Sequence, residues 1–130
     1  MSTHENPLGR ITWTDLAVPD AQANKAFYEA VVGWTSDPLD MGGYDDYCMK
    51  PAGSDDVVAG ICHARGDNAD IPPVWLVYIN VPDIEASVRQ VVALKGSVLR
   101  PIREAGGGKM SIVRDPAGAI FALYQAAATT

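Results

Sequence analysis

Cysteine and histidine are scarce in this chain. Its 130 residues include 2 Cys and 2 His. A structural zinc site draws four ligands, as a rule Cys and His in paired spacings. Cys48, Cys62, His4 and His63 show no such spacing, which argues against the common zinc-binding modules. The two thiols are isolated and form no CxxC, so they read as small apolar residues without a disulfide. Long apolar runs are also missing. None approaches the roughly 18 residues that a membrane span needs. The polar start, Met1 to Gly9, lacks the cationic and apolar parts of a signal peptide, so a cytoplasmic protein is expected. Positive charge is the minority: Lys plus Arg number 10 against 16 Asp plus Glu, a net charge of −6. With no Lys/Arg cluster, nucleic acid is not an expected partner. What the chain has in plenty is apolar residues, at 48%. That composition argues for a folded domain, and the length suits a single domain over 1–130.

The chain repeats itself. Val18-Pro19-Asp20 recurs as Val81-Pro82-Asp83, and Gly33 recurs as Gly96. Further on, Gly42-Gly43 and Pro51-Ala52-Gly53 are echoed by Gly106-Gly107 and Pro116-Ala117-Gly118. Four ordered matches at nearly constant offset predict two copies of one unit. Module one covers about 9–66 and module two about 72–126.

Both copies share a grammar. Ile11 to Val18 and Trp75 to Val81 are short runs rich in β-branched and aromatic residues, hence strands. Asp20 and Asp83 stand where a helix N-cap belongs. Apolar residues at helical spacing predict helices over Ala21 to Val32 and Ile84 to Leu94. Gly33 and Gly96 follow as expected C-caps, because glycine tolerates the left-handed cap conformation. Three strand-like runs then close each copy. In copy one they lie around Trp34, over Tyr44 to Lys50 and over Val57 to Ala64; in copy two, over Ser97 to Pro101, Lys109 to Arg114 and Ala119 to Gln125. The expected class is α+β, built from two tandem βαβββ modules whose curved mixed sheets surround a cleft. Each half is too small to bury a good core alone, so the two are expected to share one.

Val18-Pro19-Asp20, Ala26-Phe27-Tyr28, Val32-Gly33-Trp34 and Asp115-Pro116-Ala117-Gly118 carry a family resemblance. With the paired βαβββ pattern, they resemble the vicinal oxygen chelate superfamily of glyoxalases, bleomycin-resistance proteins and extradiol dioxygenases. The likeness covers about residues 9–126 and is strongest to the glyoxalase/bleomycin-resistance branch. It implies a small-molecule ligand in the cleft, and a homodimer for a chain of this size. In metal-using members, it also implies His, Glu or Gln ligands on the first and last strands of each module. Here those positions fall on Trp13, Gly60, Leu76 and Ala122. Their side chains offer no lone pair to a cation. No metal is therefore expected at the usual place, and no other cofactor is implied.

Strand alternation extends those four positions into a cleft lining. Trp13 brings Asp15 with it, Leu76 brings Tyr78 and Asn80, Ala122 brings Tyr124, and Gly60 brings Cys62. Such a lining suits a largely apolar or aromatic molecule oriented by a few hydrogen bonds. The acidic charge favours cationic ligands. His63 takes the parity opposite Cys62 and is expected to point away. A different reading is a metal-independent isomerase, cyclase or lyase, with Asp15 as general base and Tyr78 as its acid partner. A metal-dependent lyase or dioxygenase with displaced ligands is a third. A structural or regulatory dimer is a fourth. Gly106-Gly107-Gly108-Lys109 lacks the Ser/Thr and the following helix of a phosphate loop. It reads instead as a mobile hairpin beside the cleft.

Overall fold

The computed structural model describes residues 7–127, in two compact units. One runs Trp13–Trp75; the other joins the described residues on either side of it, 7–12 and 76–127. His4 lies outside the described residues.

The first unit contains most of β1 (Ile11–Val18), then α1 (Ala21–Val32), β2 (Thr35–Asp40), β3 (Asp45–Lys50) and β4 (Ala59–His63). Its strand order is β2-β3-β4-β1, with β1 and β4 parallel and the other pairs antiparallel. The second unit contains β5 (Trp75–Asn80) except its first residue, then α2 (Ile84–Ala93), β6 (Ser97–Ala105), β7 (Gly108–Arg114) and β8 (Ile120–Gln125). Its order is β5-β8-β7-β6, again with one parallel pair, β5 and β8. The repeat is visible in the register. Asp15 faces Gly60 and Ala17 faces Cys62; at the matching places Tyr78 faces Ala122 and Asn80 faces Tyr124. The fold is α+β.

Short-range chemistry starts both helices in the same way. Asp20 accepts a hydrogen bond from the Ala23 amide, and Asp83 from the Ala86 amide, each at 3.1 Å. Each cap satisfies an amide that the first helical turn leaves without a partner. The helix ends differ. Gly33 takes the expected left-handed conformation at φ 77°. In α2 that conformation falls on Lys95, at φ 75°. The Gly96 amide then reaches back to the Val91 carbonyl at 2.8 Å. Gly96 is thus not the left-handed cap expected of it. It is needed for space, since a Cβ there would stand 2.5 Å from the Arg114 carbonyl oxygen.

α1 lies against Leu16, Val18, Met49, Ala59 and Ile61, all buried. Tyr28, Trp34 and Trp75 close that core, with the Trp75 indole donating to the Tyr28 hydroxyl at 3.1 Å. α2 places Ile84, Val88 and Val91 against Val113, Phe121 and Leu123. β6 continues past its expected end at Pro101 to Ala105. It is the outer strand of its sheet, where a proline lacking an amide proton breaks no ladder. Among the described residues, no helix is long and apolar enough to cross a membrane.

Candidate functional site

In the first unit, the side chains of β1 and β4 alternate between two faces. Leu16, Val18, Ala59 and Ile61 join the α1 core. Trp13, Asp15, Ala17, Gly60 and Cys62 therefore share the face away from the helix. The Trp13 indole donates to an Asp15 carboxylate oxygen at 3.3 Å. Gly60 permits this arrangement. A Cβ there would lie 3.3 Å from both the Trp13 ring and the Asp15 Cβ. The four residues that the sequence placed together in this half are thus neighbours, with an aromatic ring over a glycine and a carboxylate at its edge.

β3 adds two residues that the sequence reading did not include. Cys48 lies opposite Gly60, and Asp46 belongs to the same face two positions along. Counting alternation along β3, as was done for β1, would have found both. Asp46 is buried and accepts the His63 amide at 2.8 Å. Burial, then the nearby charges of Asp15 and Asp46, pushes the Cys62 thiol far above its ordinary range. The thiol stays protonated at neutral pH. It is a poor nucleophile, since the thiolate is the reactive form.

His63 is held at the end of β4. Its Nδ1 is 3.0 Å from the Asp45 carbonyl oxygen, its ring meets Tyr44 edge-on, and Arg65 lies 4.0 Å over the Tyr44 ring.

In the second unit, the matching face holds Leu76, Tyr78, Asn80, Ala122 and Tyr124. Leu76 and Ala122 are buried. Asn80 and Tyr124 have their polar groups engaged within the protein. Asn80 accepts from the Thr12 hydroxyl at 2.8 Å, and its backbone pairs with Gly9 and Arg10. It fastens the chain that leads into β1. The Tyr124 hydroxyl sits 3.1 Å from the carbonyl oxygens of both Ala105 and Gly106. This latches the glycine turn, a two-residue hairpin in which Gly106 and Gly107 both have positive φ. The mobile flap expected from the glycine run is therefore a tight, anchored turn, for which left-handed glycines are the preferred residues. A Cβ on Gly108 would meet the Tyr124 hydroxyl at 2.7 Å, so the latch also requires that glycine.

The positions where the family resemblance implies metal ligands hold a tryptophan, a glycine, a leucine and an alanine. Among the described residues, no three His, Cys, Asp or Glu side chains gather closely enough to hold an ion. The residues present do not fit a metal of the family's usual kind. At Gly60 a side chain would start in tight contact with the Trp13 ring and the Asp15 Cβ.

The doubled βαβββ units define a protein class, and sequence comparison agrees with it. Residues 10–123 match the model of the Glyoxalase/Bleomycin resistance protein/Dioxygenase superfamily, and the chain belongs to that family. It is 37% identical over 120 residues to "Putative glyoxylase CFP32" of Mycobacterium bovis, covering 91% of this chain and 46% of that one. It is 31% identical over 134 residues to "Anthracycline biosynthesis protein DnrV" of Streptomyces peucetius, covering 90% and 47%. The chain thus spans about half the length of the curated relatives it matches. The structure of methylmalonyl-CoA epimerase from Mycobacterium tuberculosis is similar in fold, with a TM-score of 0.55 and 16% identity, over 98% of this chain and 93% of that one.

Proposed function

We propose that this protein binds a small, largely apolar or aromatic molecule without a metal ion, on the face that carries Trp13, Asp15, Gly60 and Cys62. The observation that carries this reading is the Trp13 ring lying over Gly60 with its indole tied to Asp15. A free face of such a ring stacks on a flat ligand, and the carboxylate orients a donor or a cation on it. One family ligand position has thus become an aromatic platform. The curated relatives are about two chain-lengths long. Two copies of this chain, as a homodimer, supply the same amount of structure.

Calorimetric titration with a panel of planar aromatic compounds, neutral and cationic, tests the reading. A ligand from the panel is expected to bind, and Gly60→Val to weaken it about tenfold or more by displacing Trp13, a loss near 1.4 kcal/mol. Adding Ni, Zn or Fe salts should leave binding unchanged. Metal-dependent binding, or binding indifferent to both Gly60→Val and Trp13→Ala, overturns the proposal.

A further inference from the structure

The outward surface of α1 carries no charge. Its exposed residues are all apolar except Gln22. Among them, Ala23, Ala26, Phe27, Ala30 and Val31 fall at i, i+3, i+4, i+7 and i+8, a continuous apolar stripe along the helix. Phe27 is 56% exposed and Val31 62%. The two charged residues of α1 are half-buried on its inner side. Lys25 lies 5.3 Å over the Tyr47 ring and reaches Glu29 at 3.4 Å, and Glu29 accepts the Ser36 hydroxyl at 2.7 Å. A surface helix ordinarily has the opposite arrangement, with charge outside and the apolar stripe inside. The repeat counterpart α2 follows that ordinary pattern. It exposes Glu85, Arg89 and Gln90, and Glu85 pairs with Lys109 at 3.0 Å. A helix at this place in the fold therefore does not require an uncharged exterior.

The stripe is also prepared for contact. The Phe27 ring is braced edge-on by Tyr28, with centroids 5.2 Å apart, and Tyr28 stacks with Trp34 at 5.9 Å. A side chain already held in place loses little freedom when it is covered. The residues around Phe27 on the stripe are small, which lets another helix come close.

We propose that this stripe is a two-fold contact between two copies of the chain, with α1 packed against α1 and Phe27 beside the axis. The inference deepens, and rests on, the reading of this chain as a homodimer. A two-fold contact puts the same patch on both sides, so the patch must complement itself. In shape it does, since a projecting ring stands among alanines, and Phe27 of each helix can lie over the alanines of the other. In charge it does as well. A chain of net charge −6 meets its own copy with least repulsion through a surface without carboxylates, and the exposed part of α1 has none. The curated relatives each carry about one further chain-length beside the part that matches, so in them a body of this size accompanies the matching part.

Sedimentation velocity on the whole chain tests this. Wild type is expected to dimerise. Phe27→Asp and Ala30→Glu alter exposed residues only, and each should raise the dimer Kd about tenfold or more, with helical content unchanged by circular dichroism. Gln90→Asp puts the charge of Phe27→Asp at the equivalent place on α2 and should leave the dimer intact. Phe27→Lys should also weaken self-association. An equimolar mixture of Phe27→Asp and Phe27→Lys should dimerise about tenfold more tightly than either alone, because an axis beside residue 27 sets the opposite charges together. Wild-type protein that stays monomeric at about 100 μM overturns the homodimer and this contact with it, since specific homodimers of ordinary affinity associate well below that. Dimers that withstand Phe27→Asp and Ala30→Glu, that weaken equally with Gln90→Asp, or that the mixture fails to restore overturn the α1 contact and leave the homodimer standing.

Discussion

The two units are built from one repeat, yet they use the same positions differently. In the first, the face away from the helix carries Trp13, Asp15, Cys62 and Asp46, with the Trp13 indole donating to Asp15 and the His63 amide to Asp46. In the second, the matching face uses Asn80 to hold the N-terminal lead and Tyr124 to latch a turn. In the second unit these positions fasten distant parts of the chain; in the first, a tryptophan and a carboxylate are paired with each other.

Gly33 and Gly96 give the sharpest test of the comparison. They are repeat partners, but Gly33 needs its left-handed backbone and has open space around it, while Gly96 needs room. Gly96→Ala is expected to cost about 3 kcal/mol, because backbone cannot move aside as a side chain can. Gly33→Ala should cost about 1 kcal/mol, the penalty for a Cβ in the left-handed region. Urea denaturation of the two variants measures both. Equal losses would break the distinction.

Cys62 gives a difference in pH response. Its thiol is pushed above its ordinary value of 9.0, chiefly by burial and then by Asp15 and Asp46. The folded chain therefore keeps a proton that the unfolded chain releases. This contribution to stability is complete below about pH 9 and is lost as pH rises beyond it. Cys62→Ala should flatten the decline in melting temperature at alkaline pH. Asp15→Asn removes a charge that holds the proton in place, so alkylation of Cys62 by iodoacetamide should quicken. Unchanged alkylation would remove Asp15 from the environment of the thiol.

The smallest expected effect concerns Thr14. Its hydroxyl is buried and has no hydrogen-bond partner. The repeat counterpart is Val77, which has no hydroxyl to satisfy. Thr14→Val is expected to stabilise the protein by up to about 1 kcal/mol, since an unsatisfied buried polar group is removed at constant shape. A measured loss of stability would mean that the hydroxyl has a role.

Much of this was legible before any coordinates. The Val-Pro-Asp repeat located both N-caps, because an aspartate before a helix acts on an amide three residues away. β1 and α1 have the expected bounds, since alternation and helical spacing are carried by neighbouring residues. The shared face of Trp13, Asp15, Gly60 and Cys62 followed from the ligand positions that the family resemblance implies and from alternation along the strands. Asp46 and Cys48 were missed because the same count was not made along β3. The commitments of Asn80 and Tyr124 could not be read, because their partners lie 68 and 18 or 19 residues away in the chain. The misassigned cap at Gly96 has a similar cause: the carbonyl that excludes a side chain there belongs to Arg114, on another strand.

By itself, then, the sequence determined the duplication, the order of strands and helices, the helix starts, the family, and the absence of metal-ligand side chains at four positions. All of these follow from residues read locally or against their own repeat. The tertiary structure alone decided which polar groups are already satisfied, which glycine is needed for conformation and which for space, and how the Trp13 ring comes to lie over Gly60. Those outcomes depend on atoms brought within about 3 Å by strand pairing and packing, where hydrogen-bond geometry and steric exclusion operate.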